Sequence, residues 1–213
     1  MVKRFRDPIS GFTHFIGILF SIVGLIALLT RASGSETIYH IISFSIFGGA
    51  MILLYTVSTL YHWLPLSEKN LVLFRKIDHI MIFVFIAASN TTISLISIRG
   101  VWGWSIFTGV WAFTLGGFFL KIFWLDAPRY LYTSIYLLMG WMIVIALYPL
   151  TKVMQTQGIV LLGLGGIFYS IGAVIYAMKK PDPFPNTFGF HEIFHLFIMA
   201  GRFCHYLMVY SYV

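Results

Sequence analysis

Residues 38–63 read IYHIISFSIFGGAMILLYTVSTLYHW. No Asp, Glu, Lys or Arg interrupts them. Their apolar side chains surround the whole helical wheel instead of forming one stripe, as in a helix embedded in lipid. The hydrocarbon core of a bilayer needs about 20 such residues per helix. Working outward from this segment, six more stretches qualify, which places seven predicted spans at about 12–30, 38–63, 77–98, 102–123, 131–150, 157–178 and 188–212. The connections are short and often carry Pro or Gly, as in Leu64-Pro65, Ala127-Pro128 and Pro181-Asp182-Pro183. They leave no room for a soluble domain. The two-residue alternation of a barrel strand is missing, and no internal repeat emerges. The expected fold class is an all-α membrane protein, one domain of seven transmembrane helices over residues 1–213.

Composition agrees. The chain is 59% hydrophobic and only 10% charged, whereas a soluble domain carries about 25% charged residues. Such a chain cannot cover a water-facing surface, so a soluble enzyme is excluded. Aromatic residues make up 18%, which excludes intrinsic disorder. The net charge of +7 sits in short basic clusters between apolar runs. That pattern orients a membrane protein and offers no basic-aromatic surface for nucleic acid. The single cysteine, Cys204, forms no internal disulfide and belongs to no CxxC motif.

Lys3, Arg4 and Arg6 ahead of the first apolar run, with Ala32-Ser33-Gly34 behind it, resemble a signal peptide. The run is long for a signal h-region and Arg31 stands at its exit, so a retained helix is expected. With the N-terminus inside, ten of the fourteen Lys and Arg residues fall in inner segments: Lys3, Arg4, Arg6, Lys69, Arg75, Lys76, Lys121, Arg129, Lys179 and Lys180. Arg31, Arg99 and Lys152 fall outside, and Arg202 lies within the last span. The bias predicts a cytoplasmic N-terminus and an outside C-terminus.

Ionisable residues at membrane depth are expensive and mark function by default. Span counting brings four of them to one depth near the inner face: His62 at the end of span 2, Asp78 in the first turn of span 3, and His191 and His195 in the first turns of span 7. His191 and His195 are i and i+4, hence on one helix face. Ser58 stands in the same relation to His62. Three neutral imidazoles suit Zn²⁺ with an open fourth position, the arrangement used in catalysis, although ligand type alone admits other imidazole-binding ions. Asp78 would accept a hydrogen bond or a proton from water there, and Ser58 would orient a ligand or polarise a carbonyl. A single intramembrane histidine is more often an interhelical hydrogen-bonder; the shared depth of the set is what favours a metal. His191-Glu192-Ile193-Phe194-His195 also matches H-E-x-x-H, in which Glu192 would be the general base of a metalloprotease. The Leu-Asp-Gly segment used by intramembrane proteases of the site-2 type is missing after residue 195.

The motif set resembles the hemolysin III family, the bacterial branch of the progestin and adipoQ receptor family, within the wider group that includes alkaline ceramidases. Ser58-Thr59-Leu60-Tyr61-His62 is similar to its S-x-x-x-H, Asp78 to its third-helix Asp, and His191 to His195 to its seventh-helix H-x-x-x-H. The resemblance spans nearly the whole chain. It implies a multi-pass protein of the bacterial plasma membrane, with Zn²⁺ on His62, His191 and His195 and with Asp78 and Ser58 in support. Near the N-terminus the family tends to show an acidic residue, an Asn, then Thr-His. This chain has Asp7-Pro8-Ile9-Ser10-Gly11-Phe12-Thr13-His14, with Asp for Glu and Ser for Asn. His14 shares the metal's depth and reads as a structural hydrogen-bonder or a supporting residue.

Other polar residues have plainer readings. His79 points about 100° away from Asp78 and is structural. His40 is at the far end of span 2. His205 lies about 15 Å and Arg202 about 10 Å outward of His195 by helix rise, and Arg202 has no obvious acidic partner. It is left to backbone carbonyls, a headgroup oxygen or a polar cavity. Asn90-Thr91-Thr92 suits interhelical hydrogen bonds. Gly163-x-Gly165-Gly166 suits close helix packing and is no phosphate loop.

Three functions follow as expectations. One is a Zn²⁺-dependent hydrolase of a lipid amide or ester, with Asp78 as base and membrane lipids as partners and substrates. Another is a non-enzymatic, receptor-like regulator of membrane state with a structural zinc. The third is the pore-forming, cytolytic activity that the family name implies, which sits poorly with a chain of seven apolar spans.

Overall fold

The computed structural model describes residues 5–32, 38–184 and 187–213. Lys3, Arg4, Ser33 and Gly34, used above for orientation and for the signal-peptide reading, lie outside the described residues. Seven helices are long and apolar enough to cross a membrane. They are α1 (Pro8–Ala32), α2 (Ile38–Trp63), α3 (Glu68–Ser97), α4 (Val101–Phe123), α5 (Arg129–Val153), α6 (Thr156–Met178) and α7 (Phe190–Tyr212). The chain is thus an all-helical, multi-pass membrane protein. Among the described residues the β structure is limited to one isolated bridge, Phe184 with Phe188.

Each helix contacts its chain neighbour or closes the ring. α1 packs on α2 and α7, α2 on α3, α3 on α4 and α5, and α6 on α5 and α7. α3 is the most enclosed of the seven. Its stretch of small and polar residues, Ala87-Ala88-Ser89-Asn90-Thr91-Thr92, is wholly buried. Thr91 and Thr92 return their hydroxyls to Ala87 and Ser89 carbonyls, and Trp111 of α4 donates to Thr91 at 3.1 Å. The threonines of this buried polar face are thereby satisfied from within the bundle, whereas the Ser89 hydroxyl and the Asn90 side-chain oxygen are buried without a partner among the described residues.

Two spans differ from their sequence outlines. α3 begins at Glu68, nine residues before the predicted edge, so Asp78 lies in its third turn. The added turns hold Leu71-Val72-Leu73-Phe74 but are flanked by Glu68, Lys69, Arg75 and Lys76, so hydropathy stops short of them while backbone hydrogen bonding continues the helix. α5 tightens to a 3₁₀ segment at Met142–Ala146. The cause follows in the sequence: Pro149 has no N–H for the Ile145 carbonyl, and its ring crowds that carbonyl. Pro149 itself sits in the first turn of the resumed helix, where proline is tolerated.

Glycine decides one crossing. A Cβ on Gly165 of α6 would strike the His205 ring and come within 3.1 Å of the Gly201 carbonyl of α7; a Cβ on Gly201 would meet Gly165 in the same way. The two backbones touch because neither residue has a side chain.

Candidate metal centre

The start of α1 is latched to the end of α2. Asp7 donates its backbone N–H to the His62 carbonyl at 2.9 Å, and the Trp63 indole donates to the Pro8 carbonyl at 3.2 Å. Asp7 precedes Pro8, which opens the helix at the position where a missing N–H costs nothing. The same latch brings the Asp7 carboxylate to His62, whose Nδ1 lies 3.0 Å from Oδ2. Arg6 Nε also donates to that oxygen at 3.0 Å, with its guanidinium over the Tyr61 ring. The His62 hydrogen bond, aided by Arg6, holds the Asp7 carboxyl down to about 2 against the opposing effect of partial burial.

A carboxylate only accepts, so in the neutral His62 ring Nδ1 carries the hydrogen and Nε2 presents a lone pair. Facing it at 3.3 Å is Nε2 of His191. Ring nitrogens of His62, His191 and His195 all lie within 4.8 Å of one another. With Zn–N bonds of ~2.0–2.1 Å and tetrahedral angles, two imidazole nitrogens stand ~3.3 Å apart. The same 3.3 Å also suits an N–H···N hydrogen bond from His191 to the His62 lone pair. His62 and His195 are buried, and His195 Nδ1 has no hydrogen-bond partner. The cluster therefore fits a metal ion in donor type and, for the His62–His191 pair, in spacing.

α7 is held in register by its first turn. Glu192 accepts the Gly189 N–H at 2.8 Å and the Ser10 hydroxyl of α1 at 2.6 Å. Both of its oxygens are thus engaged in capping and in tying α1 to α7, which leaves Glu192 poorly placed to act as the base of an H-E-x-x-H protease. Ser10 uses its hydroxyl for this contact, at the position where the sequence resemblance anticipates an amide.

The other candidates separate by contact. His14 stacks on His195, with ring centroids 3.9 Å apart and planes 14° from parallel. Stacked rings point their in-plane lone pairs alongside each other, not toward one point, so His14 screens the cluster without belonging to it. Its edge meets the Tyr55 ring. Asp78 is outside the three-nitrogen group and instead hydrogen-bonds the buried Ser58. His205 reaches the Leu162 carbonyl at 3.2 Å. His79 lies against Tyr132. Lys121, at the inner end of the fourth predicted span, is buried in the last turn of α4, with Nζ 3.3 Å from the centre of the Tyr132 ring. Arg202 is buried between the Tyr55 and Phe85 rings.

Asp7 went unnoticed in the sequence as a partner of the cluster because it is 55 positions from His62 and lies before the first span. The available signal was an acidic residue directly ahead of a helix-starting proline at the depth of the histidines.

Two cavities meet here. A polar cleft of about 570 Å³ opens at the end of the bundle where α1 begins, lined by Arg6, Asp7, His62, Arg75 and Asp126 among others. A largely apolar cavity of about 410 Å³ runs inward between α2, α3, α5, α6 and α7. Asp78, His79, Tyr132, Tyr176 and His191 line both. The histidine cluster and Asp78 thus stand at the boundary between a wet mouth and a greasy interior.

Comparison with known proteins agrees with the sequence resemblance. The sequence profile of the family described as haemolysin-III related matches residues 2–206. The chain is 38% identical to the Hemolysin-3 homolog of Bacillus subtilis, covering 95% of this chain and 92% of the relative. It is 37% identical to Hemolysin-3 of Bacillus cereus, covering 100% and 94%. It is 27% identical to the human monocyte to macrophage differentiation factor, covering 98% and 85%. No solved structure matches.

Proposed function

The chain belongs to the haemolysin-III-related family, and from that premise we propose that it is a zinc-dependent hydrolase of a lipid amide or ester, acting at the inner leaflet. The observation that carries this reading is the 3.3 Å approach of two imidazole Nε2 atoms, one of them fixed in tautomer by Asp7, at the junction of a polar and an apolar cavity. The inner-leaflet assignment rests on the Lys and Arg bias of the connections.

His62, His191 and His195 would hold the ion. When bound, Zn²⁺ supplies a Lewis acid that polarises a carbonyl and acidifies water. Asp7 keeps the His62 ring oriented and its Nε2 free of hydrogen. Asp78, at the same boundary, accepts the proton that water gives up as it attacks the scissile carbonyl. Ser58 donates to the Asp78 carboxylate beforehand. Once Asp78 is protonated and can itself donate, the Ser58 hydroxyl is released to stabilise the developing oxyanion, and Asp78 then gives the proton to the leaving nitrogen or oxygen as the scissile C–N or C–O bond breaks. The acyl chain occupies the apolar cavity while the polar cleft supplies water and releases the hydrophilic product.

Metal analysis and lipid hydrolysis test this together. Purified wild type is expected to carry about one zinc per chain, lost in His191→Ala/His195→Ala. Asp78→Asn is expected to keep the zinc and lose hydrolysis of fluorogenic acyl amides and esters by ~10²-fold or more. A zinc-free, folded wild type refutes the reading. Retained zinc with no turnover across the substrate panel turns the site into a structural staple of a regulatory protein. The name of the Bacillus cereus relative suggests cytolysis; release of dye from vesicles by wild type and by Asp78→Asn alike would favour that activity over hydrolysis.

A further inference from the structure

We propose that the apolar cavity binds a single-chain amphiphile by its acidic headgroup, with Arg202 as the counter-ion. Among the described residues the cavity lining carries two formal charges, Asp78 and Arg202. Asp78 belongs to the boundary just described. Arg202 carries no step of the chemistry proposed there: its Cα lies seven residues beyond His195 on α7, about 10 Å further along the helix, although its charge is felt at Asp78 and His195.

Arg202 is 5% exposed, and its Nε and Nη1 have no hydrogen-bond partner. No ion pair to it occurs among the described residues. A charge at this depth is strongly unfavourable unless something compensates it. Part of the compensation is aromatic: the guanidinium carbon sits 4.4 Å from the centre of the Tyr55 ring and 4.3 Å from that of Phe85. Cation–π contact uses the faces of the guanidinium. Its N–H donors lie in the plane and need acceptors there. The guanidinium also meets the Tyr169 hydroxyl, but its Nε and Nη1 lack an acceptor among the described residues, and this half of the fork, held in place by ring faces, fits a carboxylate or a phosphate oxygen pair in bidentate fashion.

The surroundings specify the rest of the ligand. Ser89, one turn beyond Phe85 on the same face of α3, lines the cavity with a buried, unpartnered hydroxyl that can donate to the same oxyanion. The walls around this polar spot are aliphatic and aromatic, with Ile82, Leu137, Val144 and Leu162 among them. A small inorganic anion would leave those walls without contacts, whereas an acyl chain fills them. The ligand's acid is thus held at Arg202, two turns beyond His195 along α7, on the same cavity that His14, His191 and His195 line. Nothing in this requires the metal site to turn over.

Equilibrium binding of labelled palmitate to the full-length protein in phosphatidylcholine nanodiscs tests this, with hexadecanol and palmitoyl lysophosphatidate as competitors. Hexadecanol, with the same chain and no charge, is expected to bind ~10-fold more weakly than palmitate, the loss of a charge-assisted hydrogen-bonded pair. Arg202→Gln is expected to lose a similar factor for palmitate and to stop distinguishing acid from alcohol, while retaining its zinc. Arg202→Lys, which keeps the charge but not the fork, falls between. His191→Ala/His195→Ala is expected to bind palmitate as wild type does, even if hydrolysis fails in every variant. Stronger competition by lysophosphatidate than by palmitate assigns the headgroup as a phosphate monoester; weaker competition assigns a carboxylate. Equal affinity of wild type for palmitate and hexadecanol overturns the assignment without any variant. So does unchanged palmitate binding by Arg202→Gln, or its loss in the folded double-histidine variant, which would move the acid to the metal.

Discussion

Replacing Asp7 by Asn should weaken zinc binding without touching any ligand. Asp7 fixes His62 through one hydrogen bond of 3.0 Å to Nδ1, and its negative charge makes the opposite nitrogen a better donor to a cation. Removing such a partner typically costs 10–100-fold in metal affinity, or roughly 1.4–2.7 kcal/mol. The Asp7 side chain is 43% exposed, so water can partly replace the lost acceptor, and the lower end applies. We expect about 10-fold weaker zinc binding for Asp7→Asn. Asp7→Ala should be weaker again, because the amide oxygen of Asn can still accept from Nδ1–H. The folded carboxyl, held at about 2, lies below the ~3.9 of an unfolded chain. Its contribution is therefore complete above about pH 5 and is lost only as pH falls through ~4 toward 2. The wild-type to Asn ratio should accordingly stay constant between about pH 6 and 8, even though histidine protonation weakens zinc binding in both proteins across that range. Competition against a chromophoric chelator in detergent measures this. Equal affinities, or a ratio that changes several-fold across neutral pH, would refute the orienting role.

Three further outcomes follow from the packing. His14→Phe keeps the ring stacked on His195 but removes both nitrogens; elemental analysis should find the same zinc content as in wild type, and a loss would make His14 a ligand. Glu192→Ala removes the Gly189 and Ser10 contacts, which at ~1–2 kcal/mol for a cap and its partner lowers Tm by several degrees for a chain of this size. Hydrolysis by the folded protein should persist; its selective loss, with zinc and stability intact, would restore Glu192 as a base. Gly165→Ala drives a Cβ into His205 and toward the Gly201 carbonyl, and should destabilise by about 1–3 kcal/mol in thermal unfolding, whereas Gly163→Ala, with open space around it, should be near neutral.

Much of this protein was legible from local sequence. The seven spans follow from uninterrupted apolar runs, because a bilayer demands that each crossing segment satisfy its own backbone and present hydrocarbon outward. The meeting of His62, His191 and His195 followed from span counting, because antiparallel crossings of fixed length place the end of span 2 and the start of span 7 at one level. Helical periodicity then put His191 and His195 on one face. The lack of an ion-pair partner for Arg202 among the described residues also agrees with the sequence.

What the sequence could not supply was the partnering across helices. Hydropathy sets depth but not azimuth, so the sequence points to Asp78 as the acidic neighbour of the histidines, whereas the α1–α2 latch brings Asp7 to His62 and Asp78 bonds Ser58. Periodicity placed His14 at the right level but could not show that its ring lies flat on His195. Arg202 had a height but no surroundings until α2 and α3 brought Tyr55 and Phe85 to it beside an apolar cavity. Depth is a one-dimensional property set by each segment's own side chains, and the sequence determined it. Which faces meet depends on how small residues such as Gly165 and Gly201 let particular helices close on each other, and that is decided only when all seven are packed together.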